Sequence, residues 1–289
     1  MDSSADGDSD AATAVLTKAL MLYLLVIPFS VYKSHPKNTS LTASVVKVKA
    51  PPVASAKKQK KQSGRKRLYV TFDDGPNRGT RNVFRIVQDE GVPVSFFIVG
   101  EHVFASPSQS KMWDSLKMAQ QIELCNHSFS HAHSHYESYY TQPDSVVADF
   151  KRTADSLDLT NNIGRTPGRN IWRIDTLRFT DLKKSTDAAD SLQKAGFTLM
   201  GWDLEWHFNH KTMCVETTAE GMIAQIDSVF KHNRTKRKGN LVLLAHDQAY
   251  VKSEDSFQLR QFFQLLKKSD YELSLVGDYV NESDTASLQ

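Results

Sequence analysis

Cysteine is scarce in this chain, which has only Cys125 and Cys214 among its 289 residues. Their wide separation fits neither a disulfide framework nor the closely spaced thiols of a zinc knuckle. No internal repeat of fixed period is visible, so a repeat architecture is not indicated. The chain otherwise has ordinary globular composition, with 40% hydrophobic and 24% charged residues, and it is long enough for an enzyme.

Acidic residues are missing from residues 33–67, a stretch that holds eleven Lys and Arg residues. Residues 68–289 carry a net charge of −5, and such a mildly acidic domain does not indicate a nucleic-acid partner. The basic stretch is rich in Ser, Ala and Lys and includes two adjacent prolines, which is typical of a flexible, self-repelling linker. We interpret it as a solvated tether or a contact with anionic lipid, rather than a nuclear signal or a nucleic-acid site.

A long apolar stretch lies close to the amino terminus. Residues 1–10 are small and acidic, which predicts disorder, whereas residues 11–32 are apolar with Lys18 as their only charge. Because about 20 apolar residues span a bilayer, we expect a membrane anchor here. A cleavable signal peptide is an alternative, although it requires a basic start where this chain has four aspartates. A buried helix is another.

The charges around this apolar stretch leave its orientation open. The excess of Lys and Arg follows it along the chain, so the positive-inside rule would place residues 68–289 in the cytoplasm. The substrate that we derive below lies outside the inner membrane. We therefore expect a membrane-anchored protein of the cell envelope, with residues 68–289 outside the inner membrane.

From Leu68 onward, short apolar runs alternate with amphipathic stretches. Seven such runs predict strands, at residues 68–72, 95–99, 122–126, near 164, 197–201, 241–245 and 272–276. Five amphipathic stretches predict helices, at residues 80–90, 144–157, 187–195, 218–232 and 256–267. Strands that alternate with helices imply an α/β fold with a largely parallel sheet or barrel, and such folds bind ligands at the carboxyl ends of their strands.

Two adjacent carboxylates, Asp73 and Asp74, follow the first predicted strand in the sequence VTFDDGPN. Side chains of neighbouring extended residues diverge. One carboxylate can therefore bind a cation while the other meets a bound water. An Asp-Asp-Gly turn alone is more typical of a loop or a helix cap, so the assignment depends on a second cluster of ligands.

Two histidines supply that second cluster. His127 and His131 follow the third predicted strand, and one helical turn would place them on the same side. Two histidines and one carboxylate are a common ligand set for a catalytic divalent ion that keeps a position open for water. Water at such an ion is a nucleophile near neutral pH. His133 and His135 follow, and the alternative is a loose, adventitious metal-binding tract.

The two motifs together resemble the polysaccharide deacetylase family. The segments TFDDGPNRGT and GVPVSFFIVG are similar to the opening of that family's domain, and His127-Ser-Phe-Ser-His131 is similar to its second motif. The resemblance covers residues 68–278 and implies a distorted (β/α) barrel with about seven strands. It also implies that Asp74, His127 and His131 bind one divalent metal ion, in the first place zinc, with cobalt or another divalent ion as alternatives.

The same resemblance assigns further catalytic roles. Asp73 would take a proton from the attacking water, and Arg165 of the third motif would hold Asp73 by ion pairing. Leu244-Ala-His246 is similar to the last motif, in which the histidine protonates the leaving amine and the leucine lines the substrate pocket. The backbone N–H of Gly168 would face the oxyanion.

The third and fourth motifs depart from the family pattern in the substrate pocket. An aromatic residue is missing from the third motif, and Trp172 is the candidate replacement. The segment GWDLEW offers two registers for the family's Asp-Trp pair. In one register Glu205 orients the acid histidine and Trp206 lines the acetyl pocket, whereas in the other Asp203 is the partner of that histidine.

The expected activity is hydrolysis of N-acetyl groups on glycans that contain N-acetylglucosamine, such as peptidoglycan, a chitin-like polymer or an exopolysaccharide. The expected partners are this N-acetylated polysaccharide and, through residues 11–32, the membrane, but no nucleic acid. An O-acetyl polysaccharide esterase of the same fold is an alternative, because the motifs barely distinguish an amide from an ester. A non-catalytic glycan-binding domain is another alternative. Loss of a ligand, the base or the acid would favour it, and all five residues are present.

Overall fold

The computed structural model of the chain describes residues 65–282. The predicted acidic segment 1–10, the predicted membrane segment 11–32 and nearly all of the predicted linker 33–67 lie outside the described residues, as does the end of the predicted domain 68–289. Within residues 65–282, no helix combines the length and the hydropathy that crossing a membrane requires.

The described residues form twelve strands and nine α-helices. The strands are β1 (Arg67–Gly75), β2 (Val94–Ile98), β3 (Ile122–Asn126), β4 (Ile163–Gly164), β5 (Ile171–Ile174), β6 (Leu177–Thr180), β7 (Thr198–Leu199), β8 (Leu204–Glu205), β9 (Phe208–Asn209), β10 (Cys214–Val215), β11 (Asn240–His246) and β12 (Glu272–Leu273). The helices are α1 (Thr80–Glu90), α2 (Gly100–Phe104), α3 (Pro107–Met118), α4 (Tyr136–Tyr139), α5 (Pro143–Leu157), α6 (Thr186–Lys194), α7 (Ala219–Lys231), α8 (Ser253–Leu266) and α9 (Val276–Asn281). Short 3-10 helices lie at His131–Ser134, Lys183–Ser185 and Asp247–Tyr250.

One large sheet organises the described residues. Nine strands follow the order β6-β5-β7-β4-β3-β2-β1-β11-β8, and β12 adds a tenth strand by pairing with β1. Neighbours from β7 to β8 are parallel, while β5 and β6 form an antiparallel hairpin. The sheet curls into a half-barrel, and within the described part its two end strands do not pair with each other. The α/β prediction is confirmed, with ten strands in the sheet rather than about seven.

Burial on both faces explains why β1 lies in the middle of the sheet. Its residues read RLYVTFDDG, and nearly all of them are buried, as expected for a parallel strand that is covered on both sides. On one face Phe72 stacks on Phe96 with ring centroids 5.2 Å apart. Residues of α1, α7 and α8 join the same apolar core. This packing fixes the carboxyl end of β1, where the chemistry is predicted.

The five predicted helices are confirmed with ends within three residues of those in the structure. Gly91 and Gly196, which follow α1 and α6 closely, have φ angles of 62° and 96°, which favour glycine at helix ends. The β5–β6 hairpin was not predicted. Two short runs of β-branched and aromatic residues, IWRI and LRFT, on either side of a tight turn at Asp175 were a signal for it.

Candidate active site

The carboxyl ends of four parallel strands bring the predicted catalytic side chains together. Asp73 and Asp74 lie near the end of β1, His127 follows β3, Arg165 follows β4, and His246 ends β11. The register of β1 and β11 sets Asp73 directly beside His246. Parallel strands end at one edge of their sheet, so residues far apart in sequence converge there.

Asp74, His127 and His131 form the candidate metal centre. The Oδ1 atom of Asp74 lies 3.4 Å from Nε2 of His127 and 3.0 Å from Nε2 of His131. One possible ligand atom from each residue lies within 4.8 Å of the others, and no second group of this kind occurs in residues 65–282. Asp74 Oδ1 is buried without a hydrogen-bond donor. Two imidazoles and an unsatisfied carboxylate oxygen fit a divalent cation such as zinc.

The backbone between the two histidines is not the predicted helical turn. Ser128 and His131 have φ angles of 63° and 49°. The loop is closed by hydrogen bonds from Ser128 N to Asn126 Oδ1, at 2.9 Å, and from His131 N to Ser128 Oγ, at 3.0 Å. This hydrogen-bonded loop, rather than a helix, sets the two imidazole centroids 5.0 Å apart.

Hydrogen bonds from surrounding residues orient the candidate ligands. His127 donates from Nδ1 to the carbonyl oxygen of Arg165 at 2.8 Å, which leaves its Nε2 lone pair free to face Asp74. His102 donates from Nδ1 to the carbonyl oxygen of Asp74 at 2.7 Å, and Gln248 donates to Asp74 Oδ2 at 3.1 Å. Neither His102 nor Gln248 was predicted, although Gln248 lies two residues after the last motif.

Asp73 lies beside the candidate metal centre and is held by a buried arginine. Its Oδ1 accepts a hydrogen bond from Arg165 Nη1 at 2.8 Å, and its Oδ2 lies 3.6 Å from His127 Nε2. Arg165 is fully buried and donates also to Thr71 Oγ1 and to the Met200 carbonyl oxygen. Removing one partner from a buried ion pair of this kind strongly destabilises the folded state. The predicted pairing of Arg165 with Asp73 is present in the structure.

The electrostatics of the site suit a cation. Burial by itself raises the pKa of Asp74, but the neighbouring imidazoles of His127 and His131 outweigh it and hold the pKa well below its usual range. Burial lowers the pKa of His127, while the carboxylates of Asp73 and Asp74 raise it, with a net rise. The Asp74 carboxylate that faces the two imidazoles therefore favours positive charge at this point.

His246 stands at the edge of the site without a carboxylate partner. Its ring packs against Phe208 with centroids 5.2 Å apart, and its buried Nδ1 has no hydrogen-bond partner in the described part of the chain. The nearest predicted partner, Glu205, lies instead 3.3 Å from Nδ1 of His207. The predicted contact between Glu205 and His246 is therefore not made in the structure.

Asp203 does not contact His246 either. Its Oδ1 accepts a hydrogen bond from the backbone N–H of Lys236 at 2.7 Å, and its Oδ2 accepts one from the backbone N–H of Val242 at 2.9 Å. Burial raises the pKa of Asp203 to about 6. Both oxygens are occupied by backbone donors, so the second register of the fourth motif is wrong as a source of the partner of His246.

Tyr136, rather than the predicted Trp172, packs against Gly168 of the third motif. Gly168 has a φ angle of 61°, and a Cβ atom there would lie 3.2 Å from the Tyr136 ring. The hydroxyl of Tyr136 lies 3.4 Å from Nδ1 of His131. Trp172 is fully buried against Tyr279 with ring centroids 5.6 Å apart, so its prediction as a pocket wall is wrong. Tyr136 was not predicted to line the site, and its position five residues after His131 was the signal for it.

The other two predicted pocket residues differ in where they lie. Trp206 is almost completely buried between Tyr250 and Phe262, so it belongs to the core and is not an open pocket wall. Leu244 is also buried, but it lies two residues before His246 on β11. Alternate residues of a strand share a face, so Leu244 and His246 lie on the same face of β11.

Comparison with known sequences finds the same family that the motifs resemble. A family profile described as polysaccharide deacetylase matches residues 60–200. The Bacillus subtilis protein YheN, named for polysaccharide deacetylase, is 23% identical over 257 residues that cover 82% of this chain and 81% of YheN. A chitooligosaccharide deacetylase of Rhizobium leguminosarum is 36% identical over 70 residues. That match covers 24% of this chain and 29% of the relative, so it spans less than a third of that protein.

A solved structure shares the fold. The catalytic domain of a peptidoglycan N-acetylglucosamine deacetylase from Eubacterium rectale superposes with a TM-score of 0.53 at 20% sequence identity. The match covers 74% of this chain and 89% of that domain. At this level of identity, the comparison supports the α/β architecture of the described residues.

Proposed function

The chain belongs to the polysaccharide deacetylase family of hydrolases, and from this membership we propose that it removes N-acetyl groups from glycans that contain N-acetylglucosamine. The observation that carries the proposal is the convergence of Asp73, Asp74, His127 and His131 at one edge of the sheet. The named activities of the Rhizobium relative and the Eubacterium domain support this substrate class. Peptidoglycan and chitin-like polymers both contain the required sugar.

Asp74, His127 and His131 are the residues that we assign to a divalent cation, zinc in the first place, with cobalt or another divalent ion as alternatives. A cation bound there supplies Lewis-acid polarisation of the acetyl carbonyl and makes water more acidic. The arrangement that surrounds these ligands supports the assignment. His102 donates to the backbone carbonyl of Asp74 and Gln248 donates to its carboxylate. The Arg165 carbonyl fixes the His127 tautomer.

Asp73 is the proposed general base. Arg165 occupies its Oδ1, so Oδ2 is the oxygen that accepts the proton of the attacking water. The buried guanidinium of Arg165 holds this carboxylate in place, which leaves Oδ2 positioned to act as the base. The oxygen that attacks thus gives up its proton within the same cluster of side chains that holds the candidate ligands.

Gly168 and His246 complete the proposed reaction. The backbone N–H of Gly168 donates a hydrogen bond to the oxyanion that forms when water adds to the carbonyl. His246 then donates a proton to the nitrogen as the C–N bond breaks, since an unprotonated amine is a poor leaving group. Glu205 lies on the neighbouring strand, paired with Leu244. We assign it the role of orienting His246 once its side chain leaves His207.

The proposed cellular setting is the cell envelope. Residues 11–32 would anchor the chain in the membrane and residues 33–67 would tether the catalytic domain outside the inner membrane. This proposal depends on the apolar character of residues 11–32 and on the location of a polymeric substrate. Accessibility of a tag at residue 289 to protease in spheroplasts would check it, and protection of the tag would contradict it.

Acetate release by the full chain with added zinc tests the assignment of the base and the metal ligands. Asp73→Asn should bind one zinc ion per chain but lower kcat by a factor of about 10² to 10⁴, because the proton acceptor is lost. His127→Ala should lose both zinc and activity, since one ligand and its hydrogen bond to the Arg165 carbonyl are gone. His133→Ala, which removes an exposed imidazole, is the matched control. Normal acetate release by Asp73→Asn or His127→Ala would falsify the assignment.

A further inference from the structure

A basic segment lies at the amino edge of the sheet, opposite the candidate active site. Residues 231–238, at the end of α7 and in the loop before β11, hold five Lys and Arg residues and no acidic residue. The backbone N–H of Arg67 donates to the carbonyl oxygen of Gly239 at 2.8 Å, and Arg67 pairs with Asn240 in the register of β1 and β11. This segment, which we call the basic loop, therefore lies beside the start of β1.

A second basic segment of the sequence ends at the same edge. Residues 57–67 hold seven Lys and Arg residues, and Lys66 is one of them. Its Nζ lies 5.2 Å from the centroid of the Phe230 ring, and Phe230 directly precedes the basic loop. Two segments that are far apart in sequence thus bring cations to one edge of the sheet.

The cations of the basic loop are available to a partner. Lys231, Arg234, Lys236 and Lys238 are all exposed. None of the four lies within 4 Å of a carboxylate oxygen of residues 65–282. Unpaired cations that are close in sequence repel one another, so the loop favours an anionic partner that spreads over all of them.

Carboxylates near the basic loop offset only part of its charge. Three of them already face an arginine: Glu272 and Glu282 face Arg67, and Asp175 faces Arg237. Asp270 adds an exposed carboxylate beside Arg65, whose Nε donates to the Asp270 carbonyl oxygen at 3.2 Å. The edge keeps an excess of positive charge, although residues 68–289 together carry a net charge of −5.

An exposed aromatic ring lies next to the same cations. Phe179 on β6 is 36% exposed, and Nζ of Lys236 lies 3.6 Å from the centroid of its ring. At a lipid interface an aromatic ring reaches the boundary between head groups and acyl chains, while Lys and Arg meet anionic head groups. The apolar residues 11–32 of the same chain also favour a membrane over a soluble polyanion as the partner.

We propose that the basic loop and Phe179 form a docking surface for a bilayer that contains anionic lipid. Each Lys or Arg near such a bilayer favours the docked chain by a factor of about five. Asp73 and His246 lie at the far ends of β1 and β11, six residues or about 20 Å from the docked edge. Docking therefore turns the candidate active site away from the membrane, and it does not depend on the proposed reaction.

Acetylation of lysines by an amine-reactive reagent tests this surface in the full chain. The chain is reconstituted into vesicles of phosphatidylcholine, alone or with about one third phosphatidylglycerol, and mass spectrometry measures the acetylation rate of each lysine. Lys231, Lys236 and Lys238 should react about fivefold or more slowly in the anionic vesicles, because docking shields them from the reagent. Lys211, an exposed lysine after β9, is the internal control and should react equally in both.

Two variants and a change of salt separate the contributions of charge and of the aromatic ring. The double variant Lys236→Gln and Lys238→Gln should lower the ratio of docked to undocked chain about 25-fold, measured as faster acetylation of Lys231. Phe179→Ala should lower the same ratio, whereas Lys211→Gln should leave it unchanged. Raising the salt from about 0.1 M to about 1 M should remove most of the protection.

Two results would overturn the docking surface. One is an equal acetylation rate of Lys231, Lys236 and Lys238 in neutral and anionic vesicles. The other is equally strong protection of these lysines by a short DNA duplex added to the neutral vesicles, which would assign the basic loop to polyanions in general.

Discussion

Two residues with left-handed backbone angles shape opposite sides of the candidate site. Asp74 has a φ angle of 76°, and hydrogen bonds from His102 and Gln248 hold it there. Such a conformation costs a residue other than glycine about 1–2 kcal/mol, which these contacts offset. Gly168, at a φ angle of 61°, avoids that cost and also leaves room for the Tyr136 ring. The aromatic residue of the family's third motif would lack both advantages here.

Gly168→Ala should therefore impair both stability and activity. The left-handed conformation predicts a loss of about 1–2 kcal/mol in the free energy of unfolding, and the new Cβ atom would press against the Tyr136 ring at 3.2 Å. Because the backbone N–H of Gly168 is the proposed oxyanion donor, we expect kcat to fall by about 10²-fold. Urea unfolding and acetate release measure the two effects.

Gly91→Ala is the matched control, because Gly91 has nearly the same φ angle, 62°, and a Cβ atom there would meet nothing within 4 Å. It should lose a similar amount of stability and retain full activity, since Gly91 follows α1 away from the site. Equal activity losses in Gly91→Ala and Gly168→Ala would show that the defect comes from general destabilisation.

At the scale of elements, Asp203 connects β11 with the segment that precedes it. The carboxylate accepts backbone hydrogen bonds from Val242 in β11 and from Lys236 in the preceding loop, and it directly precedes β8, which pairs with β11. Since β11 also carries His246, Asp203 contributes to the position of His246 through the backbone. Both oxygens of Asp203 are thus used by backbone donors, although its sequence resembles a catalytic motif.

The burial of Asp203 should make the stability of the folded chain depend on pH. Burial raises the pKa of Asp203 to about 6 from an ordinary value of 3.8, so the folded chain binds the proton more tightly than the unfolded chain does. The contribution of the protonated carboxyl to stability is full below about pH 4 and is lost as the pH rises through about 6. We expect this loss to amount to about 2–3 kcal/mol in the free energy of unfolding.

Chemical unfolding of wild type and Asp203→Asn at several pH values between 4 and 7 measures this effect. As the pH rises and the carboxyl ionises, the free energy of unfolding of wild type should fall relative to that of Asp203→Asn. Asp270→Asn removes an exposed carboxylate and should show no such trend. A constant difference between wild type and Asp203→Asn across this range would contradict the prediction.

For the whole molecule, the sequence predicted most long elements but missed α3, and it missed the two-residue strands β8, β9 and β10, whereas β4, β7 and β12 were predicted from longer apolar runs. Periodicity identified β1, β3 and α1 because each has at least five residues with a clear apolar pattern. Strands of two residues, such as β8 and β9, are too short to carry any pattern. Their pairing depends on contacts with distant segments, which a single sequence does not encode locally.

The candidate site divides in the same way. Adjacent residue types and spacing were enough to predict that Asp73, Asp74 and His127 lie close together, because the carboxyl ends of parallel strands meet at one edge of the sheet. Nearness in sequence failed for Trp172 and Asp203, whose side chains face the core and the backbone of β11. Which way a side chain faces was decided by tertiary packing, and the spacing of the motifs contains no information about it.

Joint measurement of acetate and free amine from one reaction tests the central claim most directly. The zinc-loaded full chain is incubated with peptidoglycan, chitin oligomers, poly-N-acetylglucosamine and, as the ester control, acetylxylan. Hydrolysis of an amide at the Asp74, His127 and His131 centre predicts equal amounts of acetate and new amine from at least one glycan, with both abolished by a chelator. Acetate from acetylxylan alone, without amine, or no acetate from any of the four would contradict it.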